Sequence, residues 1–139
     1  MSKKIVLISG VRTAIGEFMG GLSSVNQIDL GGIVIKEAVN RAKIPTNQID
    51  EVVVGNVGQI ADSGFIARAA MFKAGLPKET TAYSVNRQCG SGLQAIIDGA
   101  LEILTDNSEI VVAWEQKICQ DCPIILKMFA TDIEWDINN

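Results

Sequence analysis

Residues 85–104, VNRQCGSGLQAIIDGALEIL, join a short strand-like run to a strongly patterned helix, with one cysteine, Cys89, at the junction. Gly90, Ser91 and Gly92 follow the sulfur without bulk. Leu93, Ile96, Ile97, Ala100, Leu101 and Leu104 then recur at helical spacing along one face, while Gln94, Asp98, Glu102 and Thr105 occupy the other. Two readings of Cys89 stand open on these residues alone. At a helix N-terminus, orphan amide N–H groups and the positive end of the macrodipole favour a thiolate and make it a nucleophile. Free cysteine is also among the most buried residue types, and then the sulfur only fills space.

The segments on either side place this junction in a fold. Lys4 to Ser9 is a continuous apolar run stopped by Gly10, which suits a strand covered on both faces and hence a central one. Val11 to Gly16 and Gly20-Gly21 read as a glycine-punctuated loop. The pattern then predicts a helix over 29–42, capped by Asp29, with Leu30, Ile33, Val34 and Ala38 on one stripe and Lys43-Ile44-Pro45 at its end. Glu51 to Gly55 reads as a second strand, and a turn follows at Asp62-Ser63-Gly64. A short helix over 66–74 is closed by Gly75-Leu76-Pro77, Thr81 to Val85 supplies a third strand, and Glu109 to Ala113 a fourth.

This alternation predicts an α/β fold of βαβαβαβ order, with a mainly parallel sheet, right-handed crossovers and helices on its faces. In such sheets chemistry gathers at the carboxyl ends of the strands, where Cys89 falls. From Trp114 onward no clean period, capped helix or bounded strand emerges. The expected organisation is therefore one domain over 1–113 and a tail over 114–139 without assigned structure.

Composition narrows the function classes. A chain of 139 residues can bury one ordinary core. With 47% hydrophobic and 20% charged residues, a net charge of −4 and no basic block, nothing suggests a nucleic-acid or anionic-membrane surface. Apolar runs are too short to span a bilayer or to form a secretory signal, so a cytoplasmic protein is expected. Three cysteines without an export signal argue for free thiols. There is no histidine, so a cysteine mechanism needing an imidazole base must borrow it from elsewhere.

Other motifs carry less. Cys119 and Cys122 form a C-x-x-C pair, but a closed zinc site needs two further ligands, and only Cys89 is left to supply one as Cys or His. A redox motif should open a helix, and Pro123-Ile124-Ile125 shows no helical pattern. No metal site is expected. Gly20-Gly21 and Gly31-Gly32 lack the phosphate-loop and dinucleotide fingerprints and read as turn or packing glycines. The carboxylates are scattered, and no pair reads as acid and base.

Asn86-Arg87-Gln88-Cys89-Gly90-Ser91-Gly92-Leu93-Gln94-Ala95 closely resembles the nucleophile motif of the thiolases. Arg12-Thr13-Ala14-Ile15-Gly16 is similar to the family's RTPIG, with Ala14 for proline, and Asp29-Leu30-Gly31 resembles its following helix start. Gly55-Asn56-Val57 with Gln59, then Ala67-Arg68, is similar to the GNV-x-Q and AR elements, and Ala74-Gly75-Leu76-Pro77 fits too. The likeness covers about residues 4–113, with several motifs in order. Ketoacyl synthases carry a different sequence around their cysteine.

The resemblance implies a thiolase-like N-terminal half-domain and an acyl transfer that forms or cleaves acetoacetyl-CoA. Cys89 would attack an acyl-CoA thioester, hold the acyl group and pass it to an acetyl-CoA carbanion. Backbone amides at the helix start would help to hold the oxyanion. Coenzyme A thioesters are then substrates, and no cofactor is implied; residues that bind them are not assigned. The complete family forms homo-oligomers. Alternatives within this reading are a 3-ketoacyl-CoA thiolase of broader chain length and a non-catalytic remnant or interaction fragment.

The family places its activating histidine, second catalytic cysteine and most coenzyme A contacts in a longer C-terminal part, and nothing here corresponds to it. The chain is therefore expected to be truncated and inactive alone. Cys119 and Cys122 lack the glycine-rich surroundings of the second cysteine. Asp62-Ser63-Gly64-Phe65-Ile66 departs from the family's GFGQNPAR-like region. After Ala113 the family continues with a run like GGTENMS. Trp114 to Cys119 can be encoded as TGG GAA CAG AAA ATA TGT, which from the third nucleotide reads GTENM, so the tail is a candidate frameshift product.

Overall fold

Val52, Val53 and Val54 are all fully buried, which requires cover on both faces of their strand. The computed structural model describes residues 4–17, 19–59, 64–116 and 125–131. In chain order the elements are β1 (Ile5–Arg12), α1 (Gln27–Ala42), β2 (Glu51–Asn56), α2 (Ile66–Ala74), β3 (Thr81–Val85), α3 (Ser91–Leu104), β4 (Ile110–Gln116) and β5 (Ile125–Thr131), with a 3₁₀ turn at Thr46–Gln48.

The five strands form one sheet in the order β1-β5-β4-β2-β3. β2 pairs in parallel with β3 and β4, and β5 pairs antiparallel with β4 and β1. The α/β class and the parallel β2, β3 and β4 are as expected. β1 is not central: it lies at the edge, and Leu7 is 53% exposed. The strand that displaces it is β5, in a segment whose sequence shows no alternation. β4 likewise runs past Ala113 to Gln116, with Trp114 buried.

Two apolar clusters flank the sheet. α1 and α2 pack Val34, Ile35, Ala38, Ile66, Ala70 and Met71 against Val52, Val54, Val112 and Trp114. α1 comes close because Gly31 lies under the indole; a Cβ there would sit 2.5 Å from Trp114 Cη2. Asn26, rather than Asp29, caps α1, its side chain accepting a 2.7 Å bond from Ile28 N–H. Asp29 lies in the first turn and pairs with Lys73 of α2 at 2.8 Å.

Among the described helices α3 alone packs on the opposite face, and its orientation corrects the reading from periodicity. Its buried residues are Ser91, Gly92, Ala95, Gly99 and Ile103, set against Val53, Val111 and Ala113. Leu93, Ile97, Leu101 and Leu104 point outward, with exposures of 64%, 39%, 49% and 47%. Small residues let the helix axis approach the sheet: a Cβ at Gly99 would be 3.0 Å from Val111 Cγ1. Two overlapping arcs of α3 are apolar, and the smaller side chains win the close contact.

Candidate active site

The turn from β3 to α3 carries Cys89 at the carboxyl edge of the sheet, and its thiol is free and exposed. Of the two readings of this residue, the buried space-filler is excluded.

Side chains either side of the sulfur hold the turn. Asn86 Oδ1 accepts from Gln88 N–H at 3.0 Å, and Asn86 Nδ2 donates to Val57 O at 3.4 Å, tying the turn to the end of β2. Ser91 Oγ accepts from Arg87 N–H at 2.8 Å and donates to Gln88 O at 2.7 Å. Gly90 N–H and Ser91 N–H close the turn onto Arg87 O and Gln88 O, each at 3.0 Å. Gln88 is held at φ 50°, in the left-handed region that non-glycine residues seldom occupy. Such a conformation persists where surrounding bonds over-determine it, and these six bonds do so.

Packing fixes the turn from below. A Cβ on Gly55 would lie 2.5 Å from the Ser91 carbonyl and 2.6 Å from Gly92 N, so the end of β2 touches the backbone of α3 at its first turn. Gly92 in turn lies against the carboxylate of Glu115 on β4, whose Cβ would be 2.8 Å from a Cβ added there. On the outer side, Arg87 Nη1 donates to Gln94 Oε1 at 2.7 Å, and Gln94 Nε2 donates to Asp98 Oδ1 at 2.6 Å.

Chemically, this arrangement presents an accessible sulfur at the start of a 14-residue helix with no side-chain cap. Helix N-terminal amides can receive negative charge on sulfur or on a carbonyl oxygen bound to it. Among the described residues no group of three His, Cys, Asp or Glu side chains could hold a metal ion. The Cys119–Cys122 pair and the Asp62-Ser63 part of the turn lie outside the described residues. In the sequence Asn86, Ser91 and Gly55 stand out only as parts of motifs; their work in fixing the turn depends on contacts between β2 and α3 that one-dimensional spacing does not carry.

Residues 5–116 match the thiolase N-terminal domain. The chain belongs to the thiolase family. It is 40% identical over 126 residues to an acetyl-CoA acetyltransferase of Syntrophomonas wolfei, covering 91% of this chain and 32% of that protein. The Escherichia coli acetyl-CoA acetyltransferase is 41% identical over 124 residues, covering 89% and 32%. Among solved structures, a Bacillus anthracis acetyl-CoA acetyltransferase superposes with a TM-score of 0.79 at 38% identity, covering 82% of this chain and 29% of that one. An Ascaris suum thiolase in complex with coenzyme A gives 0.77 at 37% identity, covering 80% and 29%.

The chain thus spans about a third of the length of these thiolases. The family match continues through Gln116, the last residue of β4. No helix among the described residues is long and apolar enough to cross a membrane.

Proposed function

We propose that this thiolase-family chain carries the acyl-accepting part of a thiolase site, with Cys89 as the nucleophile. The observation that carries the reading is the exposed sulfur on a turn that six hydrogen bonds hold in one shape. Acyl-CoA is the substrate class supported by relatives named acetyl-CoA acetyltransferase and by the thiolase solved with coenzyme A.

In the cleavage direction, Cys89 sulfur attacks the C3 carbonyl carbon of acetoacetyl-CoA. The new C–S bond forms as the C2–C3 bond breaks, and the carbanion of acetyl-CoA takes up a proton and leaves. The acetyl group stays on sulfur as a thioester, comparable in energy to the substrate it came from. A second coenzyme A thiol would then take the acetyl group and return a proton to Cys89. General acid–base groups serve both steps in the family, and this chain has no histidine to supply them. The 139-residue chain is accordingly an acyl acceptor that does not turn over. Homo-oligomer formation and a cytoplasmic location are expectations from the family resemblance and from composition.

The test is rapid-quench assay of acetoacetyl-CoA cleavage, with coenzyme A present, on the chain and on Cys89→Ala. The expected result is one acetyl-CoA released per chain, without further turnover, and none from the variant. Equal release from both proteins overturns the assignment.

A further inference from the structure

We infer that a single buried water is bound at the carboxyl end of β4, on the sheet face away from α3, where it joins Trp114 and Gln116 to Gln27 in the first turn of α1.

Trp114 Nε1, Gln116 Oε1 and Gln27 Oε1 are each buried without a hydrogen-bond partner. The residues Trp114 and Gln116 are closed to solvent, at 1% and 3% exposure. Buried polar groups are nearly always bonded, to protein or to ordered water, so unpartnered atoms gathered in one place point to a bound molecule.

Topology gathers these atoms. Trp114 packs with Val112 in the cluster under α1 and α2. Strand alternation turns Gln116 to that same face, two residues or about 7 Å further along β4. β5 runs antiparallel to both β1 and β4, so β1 is parallel to β4, as β2 is. α1 connects β1 to β2 and therefore runs back along the sheet, with its first turn at the carboxyl end. A Cβ on Gly31 would lie 2.9 Å from Trp114 Cζ2, the ring atom bonded to the carbon that carries Nε1. Gln27, four residues earlier in α1, stands one helical turn or about 6 Å further toward the level of Gln116.

The balance of donors and acceptors selects water. One water accepts from the indole N–H and donates to each glutamine oxygen, making about three bonds, the usual number for an internal water. A cation is opposed by the N–H, and an anion by the two carbonyl oxygens. The site is particular to this chain, because Trp114 and Gln116 stand where the family resemblance leads to a glycine-rich run. Its bonds tie the first turn of α1 to the end of β4. On the other face of that strand end, Glu115 lies against Gly92 at the start of α3, so the water steadies the support of the turn that bears Cys89.

Nuclear magnetic resonance on the isotope-labelled full chain reads the water directly. The Trp114 indole N–H resonance is assigned by its loss in Trp114→Phe. In the unsubstituted chain it is expected to show a cross-peak at the water frequency, with the rotating-frame sign that separates dipolar contact from proton exchange. Gln116→Met and Gln27→Met keep the length of the side chain and remove the acceptor. With water bound, the unfolding equilibrium constant in urea is expected to rise about tenfold at Gln116 and by less at the partly exposed Gln27. The double variant should lose less than the product of the two, since the same molecule is lost once. Dry, unpaired oxygens give the opposite sign, because a thioether relieves their burial. A missing water cross-peak, or Met variants as stable as the parent chain or more so, overturns the inference. The spectrum of the unsubstituted chain decides it even where a variant fails to fold.

Discussion

Gly55 of β2 touches the backbone of Ser91 in α3: a methyl group placed on Gly55 would stand 2.5 Å from the Ser91 carbonyl carbon and oxygen. Neither partner is the end of a flexible side chain, so the clash cannot be relieved by a rotamer change. The contact lets the turn bearing Cys89 rest directly on the sheet.

Gly55→Ala is therefore expected to destabilise the fold by about 1–3 kcal/mol, the usual cost of overpacking a rigid contact. Urea denaturation followed by circular dichroism measures it. A midpoint unchanged from the parent chain would show that α3 does not rest on β2.

Glu51 gives the fold a pH dependence. Burial pushes its carboxyl above the ordinary glutamate range; the hydrogen bond from Thr81 Oγ1, at 2.8 Å, works the other way, and Glu102 and Asp50 add to the rise. The folded state then holds this proton more tightly than the unfolded chain does, so its contribution to stability declines as pH rises through the raised value. Glu51→Gln keeps an acceptor for Thr81 and removes the charge. It is expected to raise the melting temperature at pH 7, by less than about 1 kcal/mol in stability for so partly exposed a site, with the gain vanishing as pH falls into the ordinary glutamate range. Thermal melts of both proteins across that range check the sign.

Leu93 and Leu101 lie on the outward face of α3, 64% and 49% exposed. Replacing both with Gln is expected to change stability by no more than about 0.5 kcal/mol per site, as for other surface positions, and to raise solubility by breaking an apolar patch. Denaturation midpoints and the protein concentration at the onset of light scattering read the two effects. A large loss of stability would mean that these side chains are covered in solution.

Much of the fold is legible because its signals are local. Gly75, at φ 86°, ends α2 where Gly-Leu-Pro marks a stop, and the run from Thr81 to Val85 is β3 to the residue. Cys89 is legible as a candidate for the same reason, a thiol among small residues before a helix. What escaped depends on contacts distant in sequence. The face of α3 that is buried is chosen by how closely Gly92, Ala95 and Gly99 let it approach β4, and the edge position of β1 by a strand that inserts from residues 125–131.

The ends of β4 show the same limit. The family resemblance leads to a glycine-rich continuation after Ala113, whereas Trp114 and Glu115 stand there, pressed against Gly31 and Gly92 on opposite faces of the sheet. Their fit depends on glycines more than twenty residues away, which no local pattern announces.

Acceptance of the acyl group by Cys89 is read by peptide-resolved mass spectrometry after incubation with acetyl-CoA. One acetyl group is expected on the peptide containing Cys89, removed by neutral hydroxylamine as a thioester is, and absent in Cys89→Ala. Acetylation confined to Cys119, Cys122 or lysines, with Cys89 unmodified, would contradict it.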